Sequence, residues 1–180
     1  NETLGPAISD VTFENCDVLS CRGTPLGLFF NGPSCVSTIR FENIRVEQSR
    51  LNPMKVRHDG GMPTPRFIFC AIAMGNAYLS NYTPGFLRDV NFRGVHYFSC
   101  DTDPVPSIRL QGHSEASSIS EVTLEDVSIN GTLVSSPEHP SVVLGDFVYN
   151  AHFAGSADGN TVTARERTLP LPEPRQPDEP

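Results

Sequence analysis

The residues best suited to acid–base chemistry and to anion binding lie in two short polar strings. The first string, MKVRHDGG, combines two glycines that permit a tight turn with Lys55, Arg57, His58 and Asp59. Arginine carries a planar fork of donors that matches a carboxylate. In a loop beside a groove, the three basic side chains would bind sugar hydroxyls or a uronate carboxylate, and His58 with Asp59 would be a base with its orienting partner. The alternative interpretation is a solvated charged loop.

The second string, IRLQGHSE, contains Arg109, His113 and Glu115 at the point where a predicted strand leaves for its turn. Arg109 is therefore a candidate for substrate binding, and His113 and Glu115 are candidates for catalysis. The alternative is that His113 and Glu115 order the turn, because the buried amides of a turn still need hydrogen-bond partners. Tyr82, in a loop further upstream, is a candidate for stacking on a sugar ring.

Two carboxyl groups at a suitable separation can hydrolyse a glycosidic bond. Inverting enzymes hold them about 6.5–9.5 Å apart and retaining enzymes about 5–5.5 Å apart. Asp59 and Glu115 would form such a pair if neighbouring turns of the chain brought them together. The five cysteines form no paired C-x-x-C pattern. We therefore expect no metal site, and no cofactor is implied.

The elements that must position these residues follow from one phrase that occurs four times. Each copy has an apolar residue at its first and fourth positions and a bulky one at its sixth. This alternation is typical of a strand with one buried face, and a recurring unit of this kind buries its apolar face by stacking on a neighbour. The copies are ISDVTFENCDV from Ile8, VSTIRFENIRV from Val36, LRDVNFRGVHY from Leu87 and ISEVTLEDVSI from Ile119.

The alternation slips by one residue in the middle of each copy. The residue at the slip is Asn15, Asn43, Gly94 or Asp126, and these residue types tolerate the left-handed backbone region. A strand, a one-residue corner and another strand are thus predicted in each copy. The pattern favours an all-β, right-handed parallel β-helix (a solenoid) of about four coils over a β-sandwich.

Each interval between copies has room for a further strand. The predicted strands are Leu26–Phe30, Phe67–Ile72, Ser107–Leu110 and, after the last copy, Val142–Leu144. The long middle interval is interpreted as one coil with an insertion from Ser49 to Pro65, although two coils, one of them degenerate, are an alternative.

Composition excludes some classes of function. The net charge of −8 opposes nucleic-acid binding, and no apolar stretch approaches the roughly 20 residues of a membrane span. The chain is inside a coil almost from its start, so we expect residues 1–153 to be the C-terminal portion of a longer β-helix domain. Residues 154–180 lose the periodicity and gain proline and charge, which predicts a disordered tail or linker.

The cysteines carry two further expectations. Cys16 occupies an interior position of its copy, shared with Ile44 and Val95, so it is predicted to be a buried apolar residue. A disulfide between Cys21 and Cys35 remains open, and with it an oxidising compartment outside the cytoplasm.

The phrases VTFENCDV, IRFENIRV, GFLRDVNFRGVHYF and IRLQGHSEASSISEVTLEDVSINGTLV resemble the last coils of pectin-lyase-like β-helix proteins. The nearest likeness is to bacterial relatives of glycoside hydrolase family 28, the polygalacturonase family, over roughly Ile8 to Phe153. The resemblance implies a secreted enzyme, extracellular or periplasmic, that hydrolyses a pectin-like polysaccharide with a general acid and a carboxylate-activated water. Its partners would be the polysaccharide and the remaining coils of the parent protein.

The family's catalytic signature is incomplete in this chain. The N-T-D, D-D and G-H-G motifs do not occur, and the nearest string to R-x-K, Lys55-Val56-Arg57, has the reverse order. We therefore expect the catalytic acids mostly on coils that precede Asn1. The rival interpretation is a non-catalytic β-helix, such as an adhesin or a tailspike-like glycan binder. A lyase or epimerase is disfavoured by the lack of a carboxylate cluster.

Overall fold

A computed structural model describes residues 7–21, 23–30, 33–48, 57–59, 62–64, 66–72, 85–99, 106–155 and 161–167. For residues 30, 57–59 and 62–64 it describes the backbone alone. The described strands are β1 (Ile8–Leu19), β2 (Leu26–Phe30), β3 (Val36–Gln48), β4 (Arg57–Asp59), β5 (Met62–Thr64), β6 (Arg66–Ile72), β7 (Leu87–Ser99), β8 (Ser107–Gln111), β9 (Ile119–Ile129), β10 (Thr132–Leu133), β11 (Val142–Leu144), β12 (Val148–Ala154) and β13 (Thr161–Ala164).

The protein is all-β with two largely parallel sheets. Sheet A has the order β1-β3-β7-β9-β12-β13, with β10 paired to β9, and sheet B has the order β11-β8-β6-β2. Between β1 and β12, apart from β4, β5 and β10, strands of the two sheets alternate along the chain. Two parallel neighbours can be joined only by a crossover. The strand of sheet B lies within that crossover each time. All four strands predicted between the copies are confirmed to within a residue at each end.

The four sequence copies lie beside one another in register. Position one pairs with position one, as Ile8 does with Val36, and position six with position six, as Phe13 does with Phe41. The same register continues through β7 and β9. β12 is a fifth, shorter copy that the sequence pattern did not reveal, since Ala151 pairs with Val122 at the fourth position and provides a weak apolar signal.

A column of phenylalanine rings runs through the sixth position. Phe13 stacks on Phe41 with ring centroids 5.1 Å apart, and Phe41 stacks on Phe92 at 4.9 Å with the ring planes 1° apart. Leu124 and Phe153 continue the column and are fully buried. Residues at equivalent positions of the repeat are therefore neighbours in the structure, as the sequence predicts.

The predicted corners are confirmed. Asn15, Asn43, Gly94 and Asp126 all have a positive φ, between 51° and 61°. The Asn43 Nδ2 group also donates a hydrogen bond of 2.6 Å to the Oδ1 atom of Asn15. This side-chain bond links two corners along the column and helps offset the cost of the left-handed backbone.

A second series of left-handed residues was not predicted. It occupies the third position of each copy, at Asp10, Thr38, Asp89, Glu121 and Asn150. Threonine and glutamate rarely adopt this conformation by themselves. The residues on either side must match their partners in the next strand, so the stack imposes the same backbone on every member of the column.

The long middle interval is one crossover with an insertion. β3 pairs directly with β7 over eleven residue pairs, and β6 is the strand of sheet B between them. This excludes a second, degenerate copy between β3 and β7. Within the insertion, β4 and β5 form an antiparallel hairpin.

Two cysteine expectations need correction or completion. Cys16 was expected to be buried, but it is exposed, because β1 is the outermost strand of sheet A and no described strand covers its outer side. Cys21 and Cys35 are free thiols. Cys70, on β6, is fully buried, and burial raises the pKa of its thiol to about 12.

The predicted boundary at Phe153 stays a prediction, but the residues Thr161–Ala164, which follow it in the sequence, form strand β13. β13 pairs antiparallel with β12, with Phe153 opposite Val162. The strand has only four residues, TVTA, and its Val162 is 42% exposed, so the periodicity did not predict it.

Candidate functional site

The structure describes only some of the predicted site residues. Lys55 and Tyr82 lie outside the described residues. Arg57, His58 and Asp59 form β4, opposite Thr64, Pro63 and Met62 of β5, and their side chains are not described. The expected pairing of the Asp59 and Glu115 carboxyl groups therefore stays a prediction.

Arg109 lies on the outer face of sheet B. In the parallel register it stands between Phe69 on β6 and Val143 on β11. Its neighbours along β8, Ile108 and Leu110, are fully buried, so the alternation of the strand turns Arg109 outward. Arg109 is therefore not a core residue, and its role in substrate binding stays a prediction.

An aromatic–arginine row extends from Arg109 on β8 across β6 to β2, and we define it as Phe29, Phe69, Arg66 and Arg109. The Phe29 and Phe69 rings stack with centroids 5.9 Å apart and planes inclined by 19°. The guanidinium carbon of Arg66 lies 4.0 Å from the centre of the Phe69 ring, a cation–π distance. Phe29 is 60% exposed, an unusual cost for a phenylalanine on a sheet face.

The row combines two kinds of recognition. A ring that is open on one side can pack against the C–H face of a sugar. An arginine in the same row can donate two hydrogen bonds to a carboxylate. Within the sequence strings only Arg109 was a candidate. Phe29 and Phe69 were missed because Leu26–Phe30 and Phe67–Ile72 are apolar throughout, and the outward residues of such strands cannot be separated by type alone. Arg66 was missed because it precedes the predicted strand, and β6 begins one residue earlier than expected.

His113 and Glu115 occupy the turn that follows β8. The turn is closed by its own backbone, since the His113 amide donates to the Ser117 carbonyl at 2.9 Å and the Ser117 amide to the Ser114 carbonyl at 3.1 Å. The Gly112 amide donates to the Asp146 carbonyl at 2.9 Å. The turn thus satisfies these amides without the imidazole or the carboxylate.

Glu115 instead joins two residues that the sequence did not single out. The Tyr149 hydroxyl donates to Glu115 Oε1 at 2.9 Å, and Arg167 Nη1 donates to Oε2. The Arg167 guanidinium also lies over the Tyr149 ring, 4.7 Å from its centre. The hydrogen bond from Arg167, followed by that from Tyr149, lowers the pKa of Glu115. The carboxylate is therefore held ionised, whereas a general acid needs a raised pKa.

The segment containing Arg167 is fastened to both sheets. The Arg167 amide donates to Asn150 Oδ1 at 2.6 Å, and Asn150 Nδ2 donates to the Arg167 carbonyl at 2.8 Å. Arg165 donates to the carbonyls of Leu144 and Gly145 at the end of sheet B. Together with β13, these contacts close the C-terminal end of the two sheets.

The N-terminal end is different. Ile8 and Phe13 on β1 are 49% and 47% exposed, whereas their partners Val36 and Phe41 on β3 are 6% and 5% exposed. In the described part of the chain, nothing pairs with the outer edge of β1 or of β2. The apolar side chains between the two sheets are thus covered at the C-terminal end and exposed at the N-terminal end.

No described group of three or more His, Cys, Asp and Glu side chains is placed to hold a metal ion. Nor do the described residues include a helix with the length and apolar character to span a membrane. No protein-family model, curated protein or solved structure matches the chain. What the protein does must therefore be inferred from its own residues.

Proposed function

We propose that the protein is the C-terminal part of a secreted β-helix enzyme that hydrolyses glycosidic bonds in a pectin-like or related acidic polysaccharide. The observation that carries the proposal is the aromatic–arginine row on the outer face of sheet B. Its exposed ring at Phe29 and, on the far side of Phe69, the side chain of Arg109 suit a chain of sugars that bear carboxylates. The resemblance of the repeats to polygalacturonase coils supports the same substrate class.

The β-helix is the first part of the proposal. The two parallel sheets would be walls of one right-handed solenoid, with each copy and its following strand of sheet B making one coil. The alternation of the sheets along the chain supports it, as does the strict register of the copies. Crossovers between parallel strands are right-handed in about 98% of cases.

The division of labour is the second part. Catalytic acids would lie mostly on coils that precede this chain, whereas the coils of this chain would bind and align the substrate. The state of Glu115 supports the division, because its carboxylate is already bound by Arg167 and Tyr149. The open N-terminal end supports it too, since apolar sheet edges of this kind are normally covered.

A non-catalytic glycan binder of the adhesin or tailspike type is the second candidate. The observation in its favour is that the aromatic–arginine row contains no carboxylate. Aromatic and arginine side chains are sufficient to bind an acidic glycan, and hydrolysis would need acids from elsewhere.

Binding is tested by calorimetric titration of the chain with oligogalacturonate and with a neutral galactan of the same length. We expect selective binding of the acidic sugar, weakened about tenfold by Arg109→Ala, because one charge-assisted hydrogen bond contributes about 1.5 kcal/mol. Arg45→Ala is the matched control, since Arg45 is an exposed arginine on sheet A, paired with Asp17. Equal affinity for both sugars, or equal loss in both variants, would refute the proposed substrate class.

Hydrolysis separates the two candidates. A polypeptide that contains this chain and its preceding coils should release reducing sugar from polygalacturonate, and the chain alone should not. Binding without release by the longer polypeptide would favour the non-catalytic protein. Release by the chain alone would place the catalytic acids within it, against the proposed division of labour.

A further inference from the structure

The open N-terminal end of the two sheets has the features of an interface. Repeat positions that are buried in other strands are exposed in β1. The exposed fraction is 47% for Phe13 and 49% for Ile8, against 1% for Phe92 and 0% for Leu87 at the same positions. Two clefts of about 290 and 320 Å³ open between β1 and β2. Their linings include Phe13 and Leu28, which are side chains of the interior. An apolar surface of this type is costly in water unless something covers it.

Columns of polar side chains also end at β1, and a further strand could extend them. Asn15 accepts a hydrogen bond from Asn43 through Oδ1, so its own Nδ2 group is the donor that another asparagine in this column would need. Asp17 pairs with Arg45 across the same two strands, with Nη2 and Oδ2 2.8 Å apart. These columns run perpendicular to the strands, and only a parallel strand in the same register extends them.

The charge of β1 specifies the occupant further. Residues 8–19 include three acids, Asp10, Glu14 and Asp17, and no Lys, Arg or His. Glu14 pairs in register with Glu42, a like charge, and like charges directly opposite are destabilising. A basic residue on the other side of Glu14 would relieve this repulsion, in the way that Arg93 bonds to Glu125 further along the same column.

A second copy of this chain does not meet these requirements. Two copies that met through their β1 edges would bring together two acidic strands without a basic residue. A head-to-tail arrangement would place β1 against β13, the outermost described strand at the other end of sheet A, and the sequence TVTA of β13 contains no aromatic residue, asparagine or basic residue. The occupant is therefore a coil of different sequence.

We infer that this end binds a further coil, with one strand parallel to β1 and another parallel to β2. The coil carries an aromatic ring over Phe13, an asparagine beside Asn15 and a basic residue beside Glu14. This inference rests on the β-helix part of the proposed function, and it specifies the register and charge of the partner. It does not depend on the ligand of sheet B.

The test uses two synthetic peptides and the full 180-residue chain. The first peptide has the sequence Val36–Gln48 with Glu42→Arg, which places an arginine opposite Glu14 when its phenylalanine lies over Phe13. The second is the unmodified sequence. Fluorescence anisotropy of the labelled peptides at low salt should show about fivefold tighter binding of the arginine peptide, and high salt should reduce the difference.

Two variants make the test specific. In Glu14→Arg the preference should reverse in favour of the unmodified peptide, because the opposite-charge pair is then formed with its glutamate. In Phe13→Ser both peptides should bind at least about tenfold more weakly, because the apolar contact is lost. Leu133→Ser is the control, since Leu133 is also an exposed apolar residue (37%) but lies on β10. Circular dichroism confirms that each variant is folded.

Three results would overturn the inference. They are the absence of peptide binding at millimolar concentration, a preference that Glu14→Arg leaves unchanged, and a dimer of the chain that Phe13→Ser abolishes in sedimentation. The last would show that a second copy covers this end. Because Arg109 lies on sheet B, normal binding of oligogalacturonate alongside any of these results would leave the proposed substrate class intact, whereas the proposed preceding coils would lose the support of this end.

Discussion

Replacement of Phe92 by alanine tests whether the phenylalanine column stabilises the whole stack. Phe92 is 1% exposed, stacks on Phe41 with centroids 4.9 Å apart and pairs with Leu124 on its other side. Removing a buried ring typically costs about 3–5 kcal/mol. Because the residues on both sides of Phe92 would lose their close packing, we expect Phe92→Ala to lower the free energy of unfolding by about 4 kcal/mol. This is a large part of the roughly 5–15 kcal/mol free energy of unfolding of folded domains.

Two companion variants determine what the number means. Phe92→Leu should cost only about 1–1.5 kcal/mol, because leucine already occupies the same column at position 124. Phe13→Ala should cost about 2 kcal/mol, because Phe13 is 47% exposed and has a ring contact only on the Phe41 side among the described residues.

The assay is urea denaturation followed by far-ultraviolet circular dichroism, with the slope of the transition compared among variants. Equal costs for Phe13→Ala and Phe92→Ala would refute the reasoning, since they would mean that Phe13 is covered in solution. Equal costs for Phe92→Ala and Phe92→Leu would also refute it, because volume in the column would then not matter.

Two further predictions concern the closed end and the corners. Arg167 and Tyr149 lower the pKa of Glu115, so their contribution to stability is complete above its unfolded pKa and is lost as the pH falls through the lower folded value. Glu115→Gln should therefore lower the melting temperature at neutral pH, and the difference from the unchanged protein should shrink as the pH falls below the unfolded pKa of the carboxyl group; a difference that does not shrink in acid would contradict this. Asn43→Ala should cost about 1–2 kcal/mol in urea denaturation, because alanine disfavours a φ of 51°. Asn43→Gly should cost less, as Gly94 occupies the equivalent corner, and the opposite order would rule out backbone strain as the cause.

Much of the architecture was predictable because the repeat expresses stacking directly. An apolar residue at a fixed position of every copy reports a buried column, and Asn or Gly at the slip reports a left-handed corner. Both predictions were confirmed at Phe41, Asn43 and Gly94. The fifth copy in β12 was not predictable to the same degree, because Ala151 is a weak apolar signal and the copy ends after Ala154.

The candidate site was predicted less well. Arg109 was recognised as an outward residue at a strand end, and the structure places it on the outer face of sheet B. Phe69, its neighbour in register, and Phe29, which stacks on Phe69, were not recognised, because they come from other strands at distant positions in the sequence. Tyr149 and Arg167 meet Glu115 for the same reason: the contact joins residues 34 and 52 positions apart.

The sequence by itself determined the repeat, its corners and the side chains that stack, because each copy has to satisfy the same local packing conditions as its neighbours. Only the tertiary structure decided which copies lie at the ends. Cys16 and Phe13 have the same repeat positions as the buried Ile44 and Phe41, yet they are exposed. Burial depends on whether another strand lies alongside, and a position within a repeat unit does not contain that information.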